Sequence, residues 1–382
     1  MAISGRDMDI TLGMEEELFL VDPESRQLVA DPDPAILETC QANAGQHKMV
    51  RELLRSQIET NTRVCASIAE MRDAMRETRQ IVIDAARSHG LAAMAASTHP
   101  TAVWKQQKFS PGDRYERFAA TYQDCVRRFV ISGMHIHAGF GDQDLRIKVM
   151  TAIRRYLPLL LALSTSSPFY GGHLTGFSSY RLLLVGGLPR TGMPGPLASM
   201  KEFDDLVSLY RRMSFVQDSS EIWWDIRPSH SFPTIELRIC DVCTRLEDAV
   251  CVTALYAALV RFLARRIQSG FTPEEPLTEI IAEDRWVASR YGVFSHFGRA
   301  HSATGRVDVE DLVEELIEEL DEDIEALACR AEIDHARKII REGTSADRQL
   351  DLYRLRLLEG DSVELAEEKV VDLLLSDTSN QD

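Results

Sequence analysis

The segment Gly13-Met14-Glu15-Glu16-Glu17 sets three consecutive carboxylates inside an apolar run. On a strand, alternate side chains point to opposite faces, so Glu15 and Glu17 share one face while Glu16 falls on the side of Leu12, Met14 and Leu18. Two carboxylates about 4 Å apart repel by roughly 4 kcal/mol at an effective dielectric near 20, so such a pair requires a cation, a shared proton or open water. The competing reading is a solvated edge strand whose charges deter aggregation. Glu52 and Glu59, in the run MVRELLRSQIET, fall on one face of a helix but on opposite faces of a regular strand. A strand therefore needs a bulge near Ser56 to align them, and a surface helix with Glu–Arg pairs is the plainer alternative.

Three more positions offer chemistry. Ser132-Gly133-Met134-His135-Ile136-His137-Ala138-Gly139 puts two imidazoles on one strand face, a spacing suited to metal ligation, against the alternative of core histidines bonded to backbone. Glu236 and Arg238 share a strand face, and Trp223-Trp224-Asp225-Ile226-Arg227 places a second acid beside a second base. In a phosphate site one such group holds a metal while the other braces the phosphoryl group; elsewhere the same pair is a structural salt bridge. Cys240 and Cys243 form a CxxC without a second pair at zinc-finger distance, so they read as packing residues. No GxxxxGK[ST] or strand-borne GxGxxG is present, so a nucleotide needs another architecture.

The elements that must position these groups follow from periodicity. Residues 9–22 alternate as a strand, 67–89 read as a helix ending at Gly90, and 91–97 as a buried strand of small residues. Ser110-Pro111 predicts a capped helix start, with the helix running to about Phe129 and a strand over 131–140. Residues 145–163 read as a helix bent at Pro158, and 164–197, rich in Gly, Ser and Pro, as a functional loop or a disordered one. Residues 222–227 and 234–240 read as paired antiparallel strands. Thr244 with Glu247 predicts a capping box opening a helix to about Gln268, and 308–327 an amphipathic acidic helix. Without a regular βαβ rhythm, repeat or linker, the expectation is a single α+β domain over residues 1–382: a mainly antiparallel sheet with helices on one side.

Composition narrows the functional classes. A formal charge of −17 argues against unaided nucleic-acid binding but not against a nucleotide held with metal ions. The longest apolar run, residues 156–163, is too short to span a bilayer, and no signal-peptide-like run precedes the first strand. Seven cysteines without framework spacing fit a reducing compartment, so the expected location is cytoplasmic.

In order, GMEEELFLVD, SQIETNT, SGMHIHAG, TGFSSYRLLLVGGLPRTGMP, WWDIRPS with PTIELRICD, RWVASRYG and EGTSADRQL resemble glutamate–cysteine ligase family 2, in its bacterial carboxylate–amine ligase branch within the glutamine synthetase superfamily. That resemblance covers nearly the whole chain. It implies a glutamine synthetase-like catalytic domain whose sheet floors a funnel, and an ATP-dependent ligase that forms an amide through an acyl phosphate, with glutamate–cysteine ligase-type activity that need not be strong. By motif position it implies Glu15, Glu17, Glu52, Glu59, His135 and Glu236 as metal and phosphate-site ligands, with His137 less securely a ligand. Arg238 and Arg227 would lie against the ATP phosphates, with Glu236 beside them, and Arg238, Arg227 and Glu59 count as catalytic. Ser179, Arg181 and Arg190 are the candidates for gripping substrate carboxylates, because a guanidinium pairs with them bidentately. The cofactors implied are ATP and Mg2+, with Mn2+ as an alternative; the partners are a glutamate-like carboxylate and an amine such as cysteine, in a homodimer.

Two rivals stand beside this reading: a metal-dependent hydrolase using His135 and His137, and a catalytically silent Mg-ATP-binding protein on the same fold. Exchange of Glu15 or Glu236 for glutamine is expected to abolish turnover while leaving the melting temperature unchanged or raised.

Overall fold

The computed structural model describes residues 9–272, 276–299 and 302–380. The alternating segment at the start is strand β1 (Thr11–Val21), long enough to meet three partners. Its first half pairs with β5 (Met134–Gly139), its middle with β3 (Gln57–Asn61), and its end with β4 (Ala92–Met94), all antiparallel. Strand β2 (Lys48–Arg51) extends the sheet beyond β3. On the other side β9 (Ile235–Leu237) pairs with β5, and β8 (Ile226–Pro228) closes the edge. The seven strands run β2-β3-β1-β5-β9-β8, with β4 on β1. A separate parallel pair joins β6 (Thr191–Gly192) to β7 (Trp223–Trp224).

One sheet face is apolar. Leu12, Met14, Leu18, Ile58, Ile136, Ile235 and Leu237 are buried there in a core shared with helices Ile68–Ser88 and Leu246–Gln268. Ser67 caps the first of these by accepting from the Glu70 N–H at 3.1 Å. The second is buried without a break from Asp248 to Ala264, so it runs through the core rather than over it.

Glu16 is the exception on that face. Its carboxylate receives Arg79 Nε at 3.0 Å and Nη2 at 2.6 Å, and both side chains are fully buried. The rest of the guanidinium donates to the carbonyls of Thr244 at 2.9 Å and Cys243 at 2.7 Å. A helix, the central strand and the turn before the long helix are thereby tied through one buried charge pair.

Several boundaries depart from the sequence expectations. Glu52 and Glu59 belong neither to a helix nor to a bulged strand: β2 and β3 form a hairpin, and Glu52 sits just past the end of β2. Gly112 rather than Ser110 precedes the helix Asp113–Arg127. Pro158 starts a new helix, Leu157–Ser164, after a 3-10 turn at Arg154–Tyr156, so the expected bend is a break. Thr244 and Glu247 form no capping box: the Thr244 hydroxyl meets Ser345 Oγ at 2.6 Å and Glu247 pairs with Arg72 at 3.2 Å, both tertiary demands that outcompete a local cap. The acidic stretch divides at Leu320 into Val309–Glu319 and Asp321–Leu327. Cys240 and Cys243 are buried free thiols, as expected of packing residues.

Removing one partner of a buried pair leaves an uncompensated charge, so Arg79→Met should cost about 3–5 kcal/mol of stability. The measurement is a urea titration, and pairing the change with Glu16→Leu should restore part of the loss, because the stranded carboxylate is then gone. A single variant with an unchanged midpoint contradicts the role assigned to the pair.

Candidate active site

The second sheet face carries the chemistry, and strand register assembles it. Glu17 on β1 lies opposite Glu59 on β3; Glu15 lies opposite His135 on β5; His137 lies opposite Glu236 on β9, which in turn faces Arg227 on β8. Directly opposed residues in an antiparallel pair share a face with Cβ atoms about 5 Å apart. Five strands, contributed by segments more than two hundred residues apart, thus deliver a continuous row of acids, imidazoles and guanidinium groups.

Within that row, ligand atoms fall into two groups: Glu15, His135 and Glu236, and Glu17, Glu52 and Glu59. In each group one ligand atom per residue lies within 4.8 Å of the others. The hairpin turn supplies Glu52, which is how two glutamates on opposite strand faces by simple counting reach one site.

The electrostatics of the two groups differ. Around Glu236, burial alone would raise the carboxyl, but the Arg238 and Arg227 guanidinium groups outweigh it and hold it well below its usual range. Arg227 grips Glu236 bidentately at 2.8 and 3.1 Å, and Arg238 forms a second, very short contact. Burial also opposes ionisation of Glu15, yet its contacts with His135 and His137 keep it below the usual carboxylate range. His135 is itself pushed down to about 4 by burial and by Arg238, so its imidazole is neutral and able to ligate. Its Nδ1 lies 3.3 Å from Glu15 Oε2.

The second group is frustrated. Burial and the Glu59 charge push Glu17 up to about 7, although the Gly133 N–H donates to it at 2.8 Å. Burial, then Glu52 and Glu15, push Glu59 up to about 8, although Asn61 donates to it at 2.8 Å. Carboxylates gathered against this resistance fit a divalent cation. Five carboxylates and one imidazole form a hard donor set suited to magnesium or manganese rather than to zinc.

His137 stands outside both groups. Its Nδ1 bonds Thr234 Oγ1 at 2.9 Å and its Nε2 lies 3.3 Å from Glu15, so it orients Glu15 from the neighbouring strand position. Arg238 lies just past β9 and reaches both Glu236 and His135. Arg181 is buried, and its guanidinium donates to the carbonyls of Ile239 at 3.3 Å and Arg238 at 3.1 Å. Among the described residues no carboxylate lies within ion-pair distance of it; burial works against its charge, and Asp241 and Glu17 act on it from longer range. Ser179 is fully buried, with its hydroxyl donating to Asp241 at 2.9 Å. Arg190 lies apart from these: it bonds Tyr122 Oη at 2.6 Å and the Glu221 carbonyl at 3.0 Å, and stacks over Trp223.

Two residues of the site, Gly133 and Asp241, went unread in the sequence, and Asp225, read as the acid beside Arg227, has another partner. Gly133 donates to Glu17, and a Cβ there would come within 2.8 Å of both Arg181 Nη2 and His135 Nε2, so glycine lets two functional side chains converge. Asp241 ends the PTIELRICD motif and collects hydroxyl groups. Asp225 holds Arg285 at 2.5 and 3.0 Å, tying the RWVASRYG helix to the sheet edge. Only the glycines flanking the histidine pair signalled any of this, through the close approach they permit.

The model of the family described as glutamate-cysteine ligase family 2 matches residues 11–369. A protein of Rhodospirillum rubrum, provisionally named glutamate–cysteine ligase 2, is 44% identical over 379 residues, covering 98% of this chain and 96% of that protein. One of Jannaschia sp. with the same provisional name is 43% identical, covering 99% of both. Among solved structures, a glutamate–cysteine ligase of Francisella tularensis in complex with AMP superposes with a TM-score of 0.66 at 14% identity, over 98% of this chain and 90% of that one. A bifunctional glutathione synthetase of Pasteurella multocida gives 0.67 at 15% identity, over 97% of this chain and 53% of that one. At such identities the structural likeness establishes the fold alone, an antiparallel sheet with helices behind it that this chain shares with those two ligases.

The two ligand groups should respond oppositely to neutralisation. Glu59 is protonated in the metal-free fold up to pH about 8 but ionises near 4.5 when unfolded, so metal-free stability falls as pH rises between those values. Glu59→Gln should flatten that fall in a thermal melt and keep or raise the melting temperature at pH 7. Glu236→Gln should lower it by the equivalent of roughly 3 kcal/mol, because two largely buried guanidinium groups lose their counterion; the expectation of a harmless Glu236 exchange is therefore corrected. Gly133→Ala should melt near wild type yet displace Arg181 and His135, lowering whatever activity the site has by roughly tenfold or more.

Proposed function

The chain belongs to glutamate–cysteine ligase family 2, whose chemistry is ATP-dependent carboxylate–amine ligation, and on that premise we propose how its residues divide the work. The observation that carries the proposal is the pair of acid-rich ligand groups on one sheet face, with two guanidinium groups bound to the acid of the first. Glu15, His135 and Glu236 hold one magnesium ion and Glu17, Glu52 and Glu59 another, with manganese able to substitute. When bound, magnesium supplies positive charge to the phosphate oxygens of ATP and so favours phosphoryl transfer.

The residues themselves do the positioning. Arg238 and Arg227, already braced on Glu236, present their remaining N–H groups to the transferring phosphoryl group, where charge stabilisation is most of the catalysis. Glu59 holds the opposite side of the cluster. Arg181, a buried cation that makes no direct ion pair, takes the substrate carboxylate, with Ser179 in the same loop behind it, while Arg190, held by Tyr122 and the Glu221 carbonyl, stands outside this arm. We assign a glutamate-like acid to this arm.

The chemistry then runs in two displacements. A carboxylate oxygen of the acid attacks the γ-phosphorus, the bond to the bridging oxygen breaks, and ADP leaves. The amine nitrogen attacks the acyl carbon, phosphate departs with the electron pair of the C–O bond, and the nitrogen loses a proton to give the amide. Cysteine is the amine that the family name suggests, and the site imposes no feature peculiar to a thiol. A homodimer is the expected assembly by analogy with soluble enzymes. Among the described residues no helix is long and apolar enough to cross a membrane.

The test is direct. Protein incubated with magnesium, ATP, glutamate and a panel of amines including cysteine should release ADP and phosphate and yield an amide detectable by mass. Glu15→Gln should remove at least 99% of that rate. Binding of a non-hydrolysable ATP analogue with no product across acids and amines would instead establish the silent binding protein. Metal-dependent hydrolysis without nucleotide would establish the hydrolase.

A further inference from the structure

The C-terminal motif EGTSADRQL touches none of the residues assigned above, yet its Thr344, Ser345 and Gln349 are buried. Thr344 Oγ1 meets Thr165 Oγ1 at 2.8 Å. Gln349 Nε2 donates to the Ser166 carbonyl at 3.0 Å and to Ser345 Oγ at 3.1 Å, and the Ala346 N–H donates to the Thr165 carbonyl at 3.1 Å. Apart from the Gln349–Ser345 bond, which lies within the motif, these contacts converge on residues 165–166, where the loop rich in Gly, Ser and Pro begins.

The next layer leads to Asp241. Its Oδ2 accepts from the Ser166 N–H at 2.9 Å and from Ser167 Oγ at 2.7 Å, and its Oδ1 accepts from Ser179 Oγ at 2.9 Å. Ser167 Oγ in turn accepts from the Arg181 N–H at 3.2 Å, and the Ser167 carbonyl accepts from the Tyr180 N–H at 3.0 Å. On its backbone side Asp241 bridges to Gly133, the residue that donates to Glu17. A carboxylate with no exposed surface, committed to three donors on two separate stretches of one loop, is costly to build merely to close a loop. It does fix where Arg181 stands relative to the acid-rich face.

We infer that Asp241 is the positioning residue of the carboxylate-binding arm: it clamps Ser167 and Ser179 so that Arg181 is held beside Gly133, while Thr344, Ser345 and Gln349 brace the start of the same loop. This rests on the assignment of Arg181 to the substrate carboxylate. Asp241 touches neither substrate nor nucleotide; it acts through the arm, and a misplacement of about 1 Å in such an arm can cost on the order of a hundredfold in rate.

The experiment uses Asp241→Asn and Ser179→Ala, singly and together, with Gln349→Met as a second way into the network should Asp241→Asn fold poorly. Asp241→Asn should raise the KM for the carboxylate at least tenfold and leave the Kd of a non-hydrolysable ATP analogue within twofold. Ser179→Ala should add little in the Asp241→Asn background, since both break the same clamp. Additive losses, the result if Ser179 meets substrate on its own, overturn the inference. So does a fall in melting temperature with unchanged KM, the result if the network serves folding alone. Hydrogen exchange makes the outcome independent of turnover. The Tyr180 and Arg181 amides should exchange at least tenfold faster in Asp241→Asn, or in Gln349→Met, with Leu18 in β1 unchanged. Wild-type protein that turns over no substrate but shows this selective loosening refutes the assignment of Arg181 and retains the clamp; unchanged exchange refutes the clamp itself.

Discussion

Mutual repulsion among Glu15, Glu17, Glu52 and Glu59 is the constraint around which this molecule is organised. Carboxylates at such separations cost each other several kcal/mol at ordinary protein dielectrics, and folding brings these together from three strand regions. Only a scaffold with strength to spare can hold them. That strength lies on the reverse of the same strand, where apolar residues of β1 and the buried Glu16–Arg79 pair lock the sheet to its helices. Glu17 therefore meets resistance to its charge next to Glu16, whose carboxylate is sealed by Arg79, while Glu15 is held ionised by His135 and His137. The strand's alternation separates the two uses.

The same division explains what could be read in the sequence. Period-two alternation is local, so the opposite orientation of Glu16 from Glu15 and Glu17 was legible, as was the shared face of His135 and His137 and that of Glu236 and Arg238. Register is not local. That Glu17 meets Glu59, or that His137 meets Glu236, depends on pairings between distant segments, and motif order supplied the grouping that spacing could not. Glu52 shows the limit most sharply: neither helix nor bulge was right, because a hairpin turn places it without any periodicity. Thr244 and Glu247 spelled a capping box, but a partner a hundred residues away took the hydroxyl and Arg72 took the acid. Buried partners such as Arg79 and Asp241 carry no signal in single-sequence patterns, since a charged residue on an amphipathic helix or at a strand end reads as exposed.

The arginines divide by what neutralises them. Arg79 is sealed with Glu16 and belongs to the fold. Arg227 and Arg238 share one glutamate, leaving two cations on one anion and a net positive charge beside the neutral His135. Arg181 has only carbonyl dipoles in direct contact. Along that series direct ion pairing weakens, and Arg181 meets the charges of Asp241 and Glu17 only at longer range. Excess cation next to excess anion, neither cancelling the other by direct contact, is unfavourable without ligands and becomes favourable once metal ions and a polyanion fill the gap between them.

That arrangement also accounts for how an acidic protein can hold a nucleotide without a glycine-rich phosphate loop. A net charge of −17 would repel a triphosphate at long range. In the proposed assignment, divalent ions would invert the local sign on one side of the site and the guanidinium groups would do so on the other, so that the phosphates meet positive charge on both. The backbone need not approach the phosphates, which is what a glycine loop exists to permit. The glycine that matters here, Gly133, instead makes room for the Arg181 guanidinium and the His135 imidazole to converge on it. On that assignment, side chains on a rigid sheet would replace loop amides as the phosphate cradle, at the cost of the repulsion that raises Glu17 and Glu59.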